Sequence, residues 1–379
     1  MKYLNKILLL AIAATTLLQP VQVTTPLPPY PLLAARAHTP TSTVEAITVG
    51  TIFGPITVNE PVLVELILHP AMERLKNLDQ HGPTTYFGKK PTFSRYTHSL
   101  GVFAILRMKG CSLKEQIAGL LHDVSHTAFS HTADHLFKTG NQVAYQDTIH
   151  AWFLEKMHLD KVLERHGFTI ADVMPDNPEF KGLKQKHPNL CADRIEYIIH
   201  TGIVYGKISQ EKGMAMGQSL HFEDGKWFFD NLEDAKTMAE LSLFFTLHKW
   251  SNHCNLAWHH WLCAAIERGF ALKLFTSDDL HFGPDQVILD ALYASSDEII
   301  KETLKKCYEP KKHYKKVRDD SHADLHDMPK LRCVDPLIKR PDDTAFSVVS
   351  DYDANYKARV EAVRKKFERG LRLVFVENA

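Results

Sequence analysis

His122 and Asp123 are neighbours in the run Ala118-Gly-Leu-Leu-His-Asp-Val124, and an imidazole beside a carboxylate can share one cation. On a regular helix adjacent side chains point roughly 100° apart, so both reach a single ion only where a helix ends or kinks. Such a pair is common by chance, and its surroundings give it weight. Upstream, His98 lies in Arg95-Tyr-Thr-His-Ser-Leu-Gly101; downstream come His126, His131 and Asp134, and farther on Asp193-Arg194. His98, His122, Asp123 and Asp193 form a mixed nitrogen and oxygen donor set. It suits one divalent Fe, Mn, Zn, Ni or Co ion better than Ca, and it lacks the thiolates of a structural zinc site. The chain holds 22 His, many of them between His98 and His150 beside Asp residues, which points to metal or proton chemistry.

The elements that must position these groups read as helices. Ser94 caps a helix that carries His98 and stops at Gly110. Ser112 caps the next, with Glu115 placed for a capping box, and that helix delivers His122-Asp123 at its C-terminal end. Residues 145–157 form another helix, and Pro188 precedes one over 190–200 that carries Asp193. Outside this set, 48–58 reads as a hairpin around Gly54-Pro55, and Pro70 divides a helical stretch over 62–78. Asp224-Gly225 turns a hairpin over 221–229. Asn231 caps a helix to Phe245, and 251–270 is a helix whose Trp and His rings belong to the core. One amphipathic helix spans 285–306, a solvated charged loop 305–320, an extended segment 331–352 and a charged helix 352–369. The expected architecture is mainly α: a helical bundle over 44–275 with small β-hairpin elements, and a small C-terminal α+β lobe over 276–379 packed on it.

Composition excludes some partners. Lys and Arg number 45, as do Asp and Glu, and this balance argues against a protein built to coat nucleic acid or an anionic membrane. The six Cys include no CxxC pair and are expected as free, packed thiols. Lys2 and Lys6, an apolar run over 7–18, a Pro-rich stretch and Ala35-Arg-Ala37 read as an export signal. Residues 1–43 are therefore expected to be a leader outside the fold; the alternatives are an uncleaved anchor or a disordered leader. After cleavage no stable membrane insertion is expected, and homo-oligomerisation is left open.

The string Ser94-Arg-Tyr-Thr-His-Ser-Leu-Gly-Val102, then Ala118-Gly-Leu-Leu-His-Asp-Val-Ser-His-Thr-Ala-Phe-Ser-His131, then Asp193-Arg-Ile-Glu-Tyr197, resembles the HD-domain phosphohydrolase superfamily. Within it the likeness is to the branch containing the SAM- and HD-domain dNTP triphosphohydrolase, and Arg332-Cys-Val-Asp-Pro336 resembles that branch's RxxDP element. The resemblance covers about residues 48–370. It implies an HD-domain helical bundle in which His98, His122, Asp123 and Asp193 hold the metal, which activates water and neutralises charge on a phosphoryl oxygen. It assigns His126 and His131 to phosphate contact or proton donation, for which an imidazole near neutral pKa is suited. Asp134 would orient His131. Gln80, Arg95, Arg194 and Tyr197 match positions that hold sugar or phosphate. Structural roles stay open for three of these: a helix-anchoring ion pair for Arg95, core packing for Tyr197, a fold-only contact for His131.

The chain departs from the pattern in places. Ser125 stands where the family has Gly. Gln146-Asp147 stands where many members have His-Glu, so either His150, one turn on, substitutes or one phosphate-contacting imidazole is missing. Leu68 and Glu73-Arg-Leu-Lys76 replace the residues of a guanine-nucleotide activator site, and no SAM domain precedes the fold. The expected function is metal-dependent hydrolysis of a phosphoester, with a nucleotide of the (d)NTP type as substrate and Mg accompanying its phosphates. The alternative is a catalytically weak nucleotide-binding or regulatory protein on the same scaffold.

Overall fold

The first described element is a hairpin, β1 (Ile47–Thr51) against β2 (Gly54–Val58), turned at Gly54 with φ 107°. The computed structural model describes residues 45–139, 143–317 and 322–376; the leader read in 1–43 lies outside them. Proline then opens α1 (Pro61–Ile67), α2 (Pro70–Arg74) and α3 (Pro83–Gly88). At the first helical position its missing N–H is no loss and its fixed φ suits the helix.

The site is built on the elements that follow. Ser94 Oγ accepts from Thr97 N at 3.2 Å and starts α4 (Arg95–Met108), which Gly110 (φ 69°) terminates. This helix is buried on every side from His98 to Leu106. Leu100 and Phe103 pack into one apolar core with α1 and α2; Val102, Ile105 and Leu106 pack into another. A helix apolar all round is one placed in the interior. Ser112 starts α5 (Leu113–Leu121), its Oγ accepting from Glu115 N. The capping box is not closed. The Glu115 carboxylate instead accepts from the backbone N–H groups of Gly182 and Leu183 at 2.7 and 2.9 Å, ties worth more to the fold than a reciprocal cap because those donors are buried.

Next come α6 (Thr132–Leu136), α7 (Tyr145–Lys156) and α8 (Leu159–Arg165). Then α9 (Ala192–Val204) lies along α4, and α10 (Gln210–Ser219) follows. Strands β3 (Leu220–Glu223) and β4 (Lys226–Phe229) form the expected hairpin, with Asp224 and Gly225 both at positive φ. Helix α11 (Leu232–Phe245) is capped by Asn231 and runs into a π-helical turn, Thr246–Trp250, before α12 (His253–Ala271), capped by Asn252.

The C-terminal third differs in detail from the sequence expectation. The helix over 285–306 is two, α14 (Asp285–Ala294) after a short α13 (Ser277–Phe282), then α15 (Glu298–Tyr308). They are separated because Asp297 caps Ile300 N and starts a new helix. Part of the stretch expected as a loop is β5 (Tyr314–Val317). It pairs with the last strand, β9 (Leu371–Phe375), as does β6 (Leu325–Asp327). Between them β7 (Leu337–Ile338) joins β4 in parallel and β8 (Ser347–Val348) in antiparallel pairing. The charged helix expected over 352–369 is α17 (Ala354–Glu368), started by an Asp353 cap, and a short α16 (Val349–Tyr352) falls within the stretch expected as extended. A third apolar core joins α12 to α14, α15, β5 and β9. The described residues form one compact unit, and none of their helices is long and apolar enough to cross a membrane. The six cysteines are all free.

Candidate metal centre and adjoining cavity

Three helices aim their ends and sides at one point. His98 comes from the first turn of α4. His122 and Asp123 follow the last residue of α5, where the helix stops and adjacent side chains can converge. Asp193 lies in the first turn of α9. A ligand atom from each of His98, His122 and Asp123 lies within 4.8 Å of the others, and all three residues are buried. Asp193 joins them: its Oδ1 is 3.2 Å from His98 Nε2 and 3.8 Å from His122 Nε2. Asp123 Oδ1 is 3.4 Å from His122 Nε2, and its Oδ2 is 3.6 Å from His98 Nε2.

The donor set fits a cation. His98 Nε2 and His122 Nε2 are buried without a hydrogen-bond partner, and an orphaned buried nitrogen is costly unless something not yet named satisfies it. The other ring nitrogens are occupied. His122 Nδ1 donates to Gly119 O at 2.8 Å, and His98 Nδ1 is hydrogen-bonded to Glu196 Oε2. Each of these bonds fixes the tautomer that leaves Nε2 free to ligate. Glu196 is fully buried, and its Oε1 meets His200 Nδ1 at 2.7 Å. Burial opposes a charge on His98, but Glu196 and Asp193 outweigh it and push its pKa up to about 10. Burial alone would raise Asp123, yet Arg95, His122 and His126 hold it well below the usual carboxylate range. Asp193 is likewise held low by His98 and His122 against its burial.

The remaining sequence-predicted residues divide into two groups. Arg95 is almost wholly buried, ion-paired to Asp123 Oδ2 through Nη1 and donating from Nε to Ser130 Oγ at 2.8 Å, with Nη2 left without a partner. His126 Nε2 is 3.4 Å from Asp123 Oδ1. Burial and the neighbouring Arg95 charge push its pKa down to about 3, so in the free protein it is a neutral imidazole. His131 crosses His126 edge to face at 5.2 Å, and its Nδ1 is 2.9 Å from Asp134 Oδ2. Asp134 is fixed in turn by Tyr145 N at 2.7 Å.

His150 is buried, with Nδ1 2.9 Å from Ser125 Oγ and Nε2 unpartnered. Burial, and then His122, push its pKa down to about 3. Ser125 thus has a use of its own: its hydroxyl ties the turn after the His-Asp pair to α7, reaching Gln146 O at 3.2 Å as well as His150.

A cavity begins at His131, which packs on His126 and through it reaches Asp123 of the metal cluster. It is lined by Gln80, His131, Asp134 and Tyr197 among the predicted residues. Gln80 Oε1 is buried and unpartnered. Tyr197 is buried, with its ring edge-on to Trp250 at 5.0 Å. Arg194 is placed elsewhere. Its two terminal nitrogens donate to the carbonyls of Asn189 and Gln185, both at 2.5 Å, so in this arrangement its guanidinium serves the 185–189 turn.

Residues that the sequence reading did not single out complete the cavity. Lys249 and Trp250 come from the π-helical turn, and Lys330 and Arg332 from the segment before β7. Arg332 and Glu196 were visible only as letters within the motifs quoted above, and Lys249 carried no sequence signal. π-helical turns inside α-helical runs recur at functional sites, since they re-aim side chains at little cost.

The HD-domain family profile matches residues 95–193, the span that holds all four candidate ligands. An uncharacterized protein, YdhJ, of Bacillus subtilis is 30% identical over 311 residues, 82% of this chain and 93% of that one. The metal-dependent phosphohydrolase cns2 of Cordyceps militaris is 33% identical over 211 residues, 54% of this chain and 61% of that one. A crystal structure of a phosphohydrolase from Bacteroides thetaiotaomicron superposes with a TM-score of 0.61 at 16% identity, over 82% of this chain and 95% of that chain, a likeness of fold. The metal-site geometry, the matched profile and a relative similar over nearly its whole length lead to one assignment: the chain belongs to the HD-domain metal-dependent phosphohydrolase superfamily.

Proposed function

We propose that the protein hydrolyses a phosphoester of a small phosphorylated substrate, a nucleotide of the (d)NTP type. The observation that carries this reading is the juxtaposition of the His98, His122, Asp123 and Asp193 cluster with a cavity that holds Lys249, Lys330 and Arg332 beside Gln80 and Tyr197. The three cations suit phosphates, and Gln80 and Tyr197 offer the polar and flat surfaces that a nucleoside needs.

A divalent metal held by the four ligands would supply Lewis acidity toward a phosphoryl oxygen and water activation. The chain's own residues do the rest. Arg95 holds Asp123 ionised and oriented. His131, with its proton fixed on Nδ1 by Asp134, presents Nε2 to the phosphate side of the cavity. Neutral His126 can donate a hydrogen bond to a phosphoryl oxygen, and the arriving negative charge raises its pKa toward the range of a proton donor. The leader read in residues 1–43 goes with export, and extracellular phosphoesters are then the pool the enzyme meets.

The test is a phosphoester panel on purified protein loaded with Mn, Fe, Co, Ni or Zn in turn, scored for phosphate or triphosphate release. Hydrolysis of nucleotides should vanish in the His122→Ala/Asp123→Ala double variant; activity untouched by that change sinks the reading. Tight nucleotide binding without product at full metal loading would instead favour a binding or regulatory role.

A further inference from the structure

Two grooves leave the active cavity, and their charge is lopsided. The first is lined by Thr84, Phe87, Lys90, Lys249, Tyr308 and Lys312, among others; the second by Lys311, Tyr314, Lys316 and Lys366 with His253. They are continuous. Thr84, Lys249 and Asn252 line both the active cavity and the first groove, while Asn252, Cys254 and Lys311 line both grooves.

Six lysines thus face the grooves against a single carboxylate, Glu309, which is already paired with Lys312 at 2.6 Å. None of Lys90, Lys249, Lys311, Lys316 and Lys366 has a carboxylate partner among the described residues. In a chain with 45 cationic and 45 anionic side chains this is a local excess that neutrality of the whole conceals. His253 registers the crowding: burial, and then Lys316 and Lys366, push its pKa down to about 4. Tyr308 is exposed on the groove wall, its ring braced edge-on by Phe87 at 5.5 Å.

We propose that these grooves carry the backbone of a single-stranded nucleic acid, whose end nucleotide occupies the active cavity. A concave, branching cationic track fits a flexible chain of phosphates better than a flat membrane surface, and an exposed tyrosine among lysines offers a stacking face to an unpaired base. This deepens the nucleotide reading above and rests on it. The reaction stays hydrolytic: water oxygen bonds to phosphorus, the bond from phosphorus to the ribose oxygen breaks, and that oxygen leaves with a proton.

The experiment uses the metal-loaded full chain and a fluorescent mixed-sequence single-stranded oligonucleotide. Binding is followed by anisotropy across a salt series, and hydrolysis of the oligonucleotide and of mononucleotides is measured in parallel. In the Lys311→Glu/Lys316→Glu/Lys366→Glu variant, oligonucleotide affinity should fall at least tenfold. The slope of log affinity against log salt should shrink by roughly 0.7 for each phosphate that is no longer neutralised. Mononucleotide hydrolysis should be unchanged, and the corresponding triple Lys→Arg variant should behave as the parent.

Equal oligonucleotide binding by parent and Glu variant, or none by the parent at low salt, overturns the proposal. So does binding to vesicles of anionic lipid in place of the oligonucleotide. Charge-dependent oligonucleotide binding with no hydrolysis of any phosphoester supports the groove and overturns the hydrolase reading, so the two can fail separately.

Discussion

Glu196 shows how much of the metal centre rests on a residue that touches no metal. Its two oxygens bridge His98 Nδ1 and His200 Nδ1, and it is fully buried. A carboxylate there fixes the His98 ring and raises the basicity of the nitrogen that faces the cation. The neighbouring helix makes room for it. A Cβ at Gly101 would lie 2.5 Å from Glu196 Oε1, so α4 can approach α9 at this point only with glycine. Glu196→Gln keeps the size and one acceptor but loses the charge. Its affinity for the divalent ion should fall about 10- to 100-fold, read by competition with a chelating dye, while circular dichroism reports an intact fold. An affinity equal to the parent's would show that Glu196 serves packing alone. Gly101→Ala should perturb the same bond through steric pressure, with about 1–3 kcal/mol lost in denaturant unfolding.

At the scale of elements, the turn from Thr127 to His131 is strained and must be held. Phe129 and Ser130 stand at φ 59° and 56° in succession, a left-handed conformation that costs roughly 1–3 kcal/mol per non-glycine residue. The turn is supported from three sides. Phe129 N donates to Asp285 Oδ1 at 2.6 Å, Ser130 Oγ donates to Asp79 O at 2.8 Å, and Arg95 Nε donates to the same hydroxyl.

Asp285 opens α14 and also accepts from Asp79 N and the Tyr86 hydroxyl. Burial, aided by the nearby Asp79 and resisted by those donors, pushes its pKa up to about 6. The sign follows from linkage. A carboxyl raised in the folded state binds more protons there than in the unfolded chain, so its contribution is full below about pH 4 and is lost as pH rises through about 6. The stability difference between the parent and Asp285→Asn should therefore shrink across that window, by an amount on the order of 2–3 kcal/mol if the shift is fully expressed. A difference flat in pH from 4 to 7 would refute it.

The same turn marks the limit of what the sequence discloses. Local signals were legible: the Ser94, Ser112 and Asn231 caps, the Asp224-Gly225 hairpin, and the helix end that frees His122 and Asp123 to converge. Each depends on residues a few positions apart. Asp285 reaches a partner 156 positions away, and no local pattern encodes that. Arg194 stands apart from the cavity for a related reason, since its type suits phosphate but two nearby carbonyls reach it first. The split at Asp297 shows a capping side chain overriding an apolar periodicity that runs through it.

For the molecule as a whole, the four ligands come from helices anchored in different cores. Leu100 and Leu121 belong to the core around α1 and α2, and Ile195 and Ile198 to the core that holds α11 and α17. A bound ion therefore ties these bodies together at their meeting point, and its binding energy adds to folding energy. Free metal at one hundred times its dissociation constant should stabilise the native state by about 2.7 kcal/mol. In a chain of this size that raises the melting temperature by roughly 1–2 °C for each kcal/mol. The shift should appear on adding metal to chelator-treated protein, should track the metal's affinity when the ion is varied, and should be absent in His122→Ala/Asp123→Ala. Removing His131 instead should leave it in place, because that imidazole is tied to Asp134 and stands apart from the ligand cluster. A shift that survives the double substitution would mean that the stabilising ion binds elsewhere, and the cluster would then lose its claim to be the metal centre.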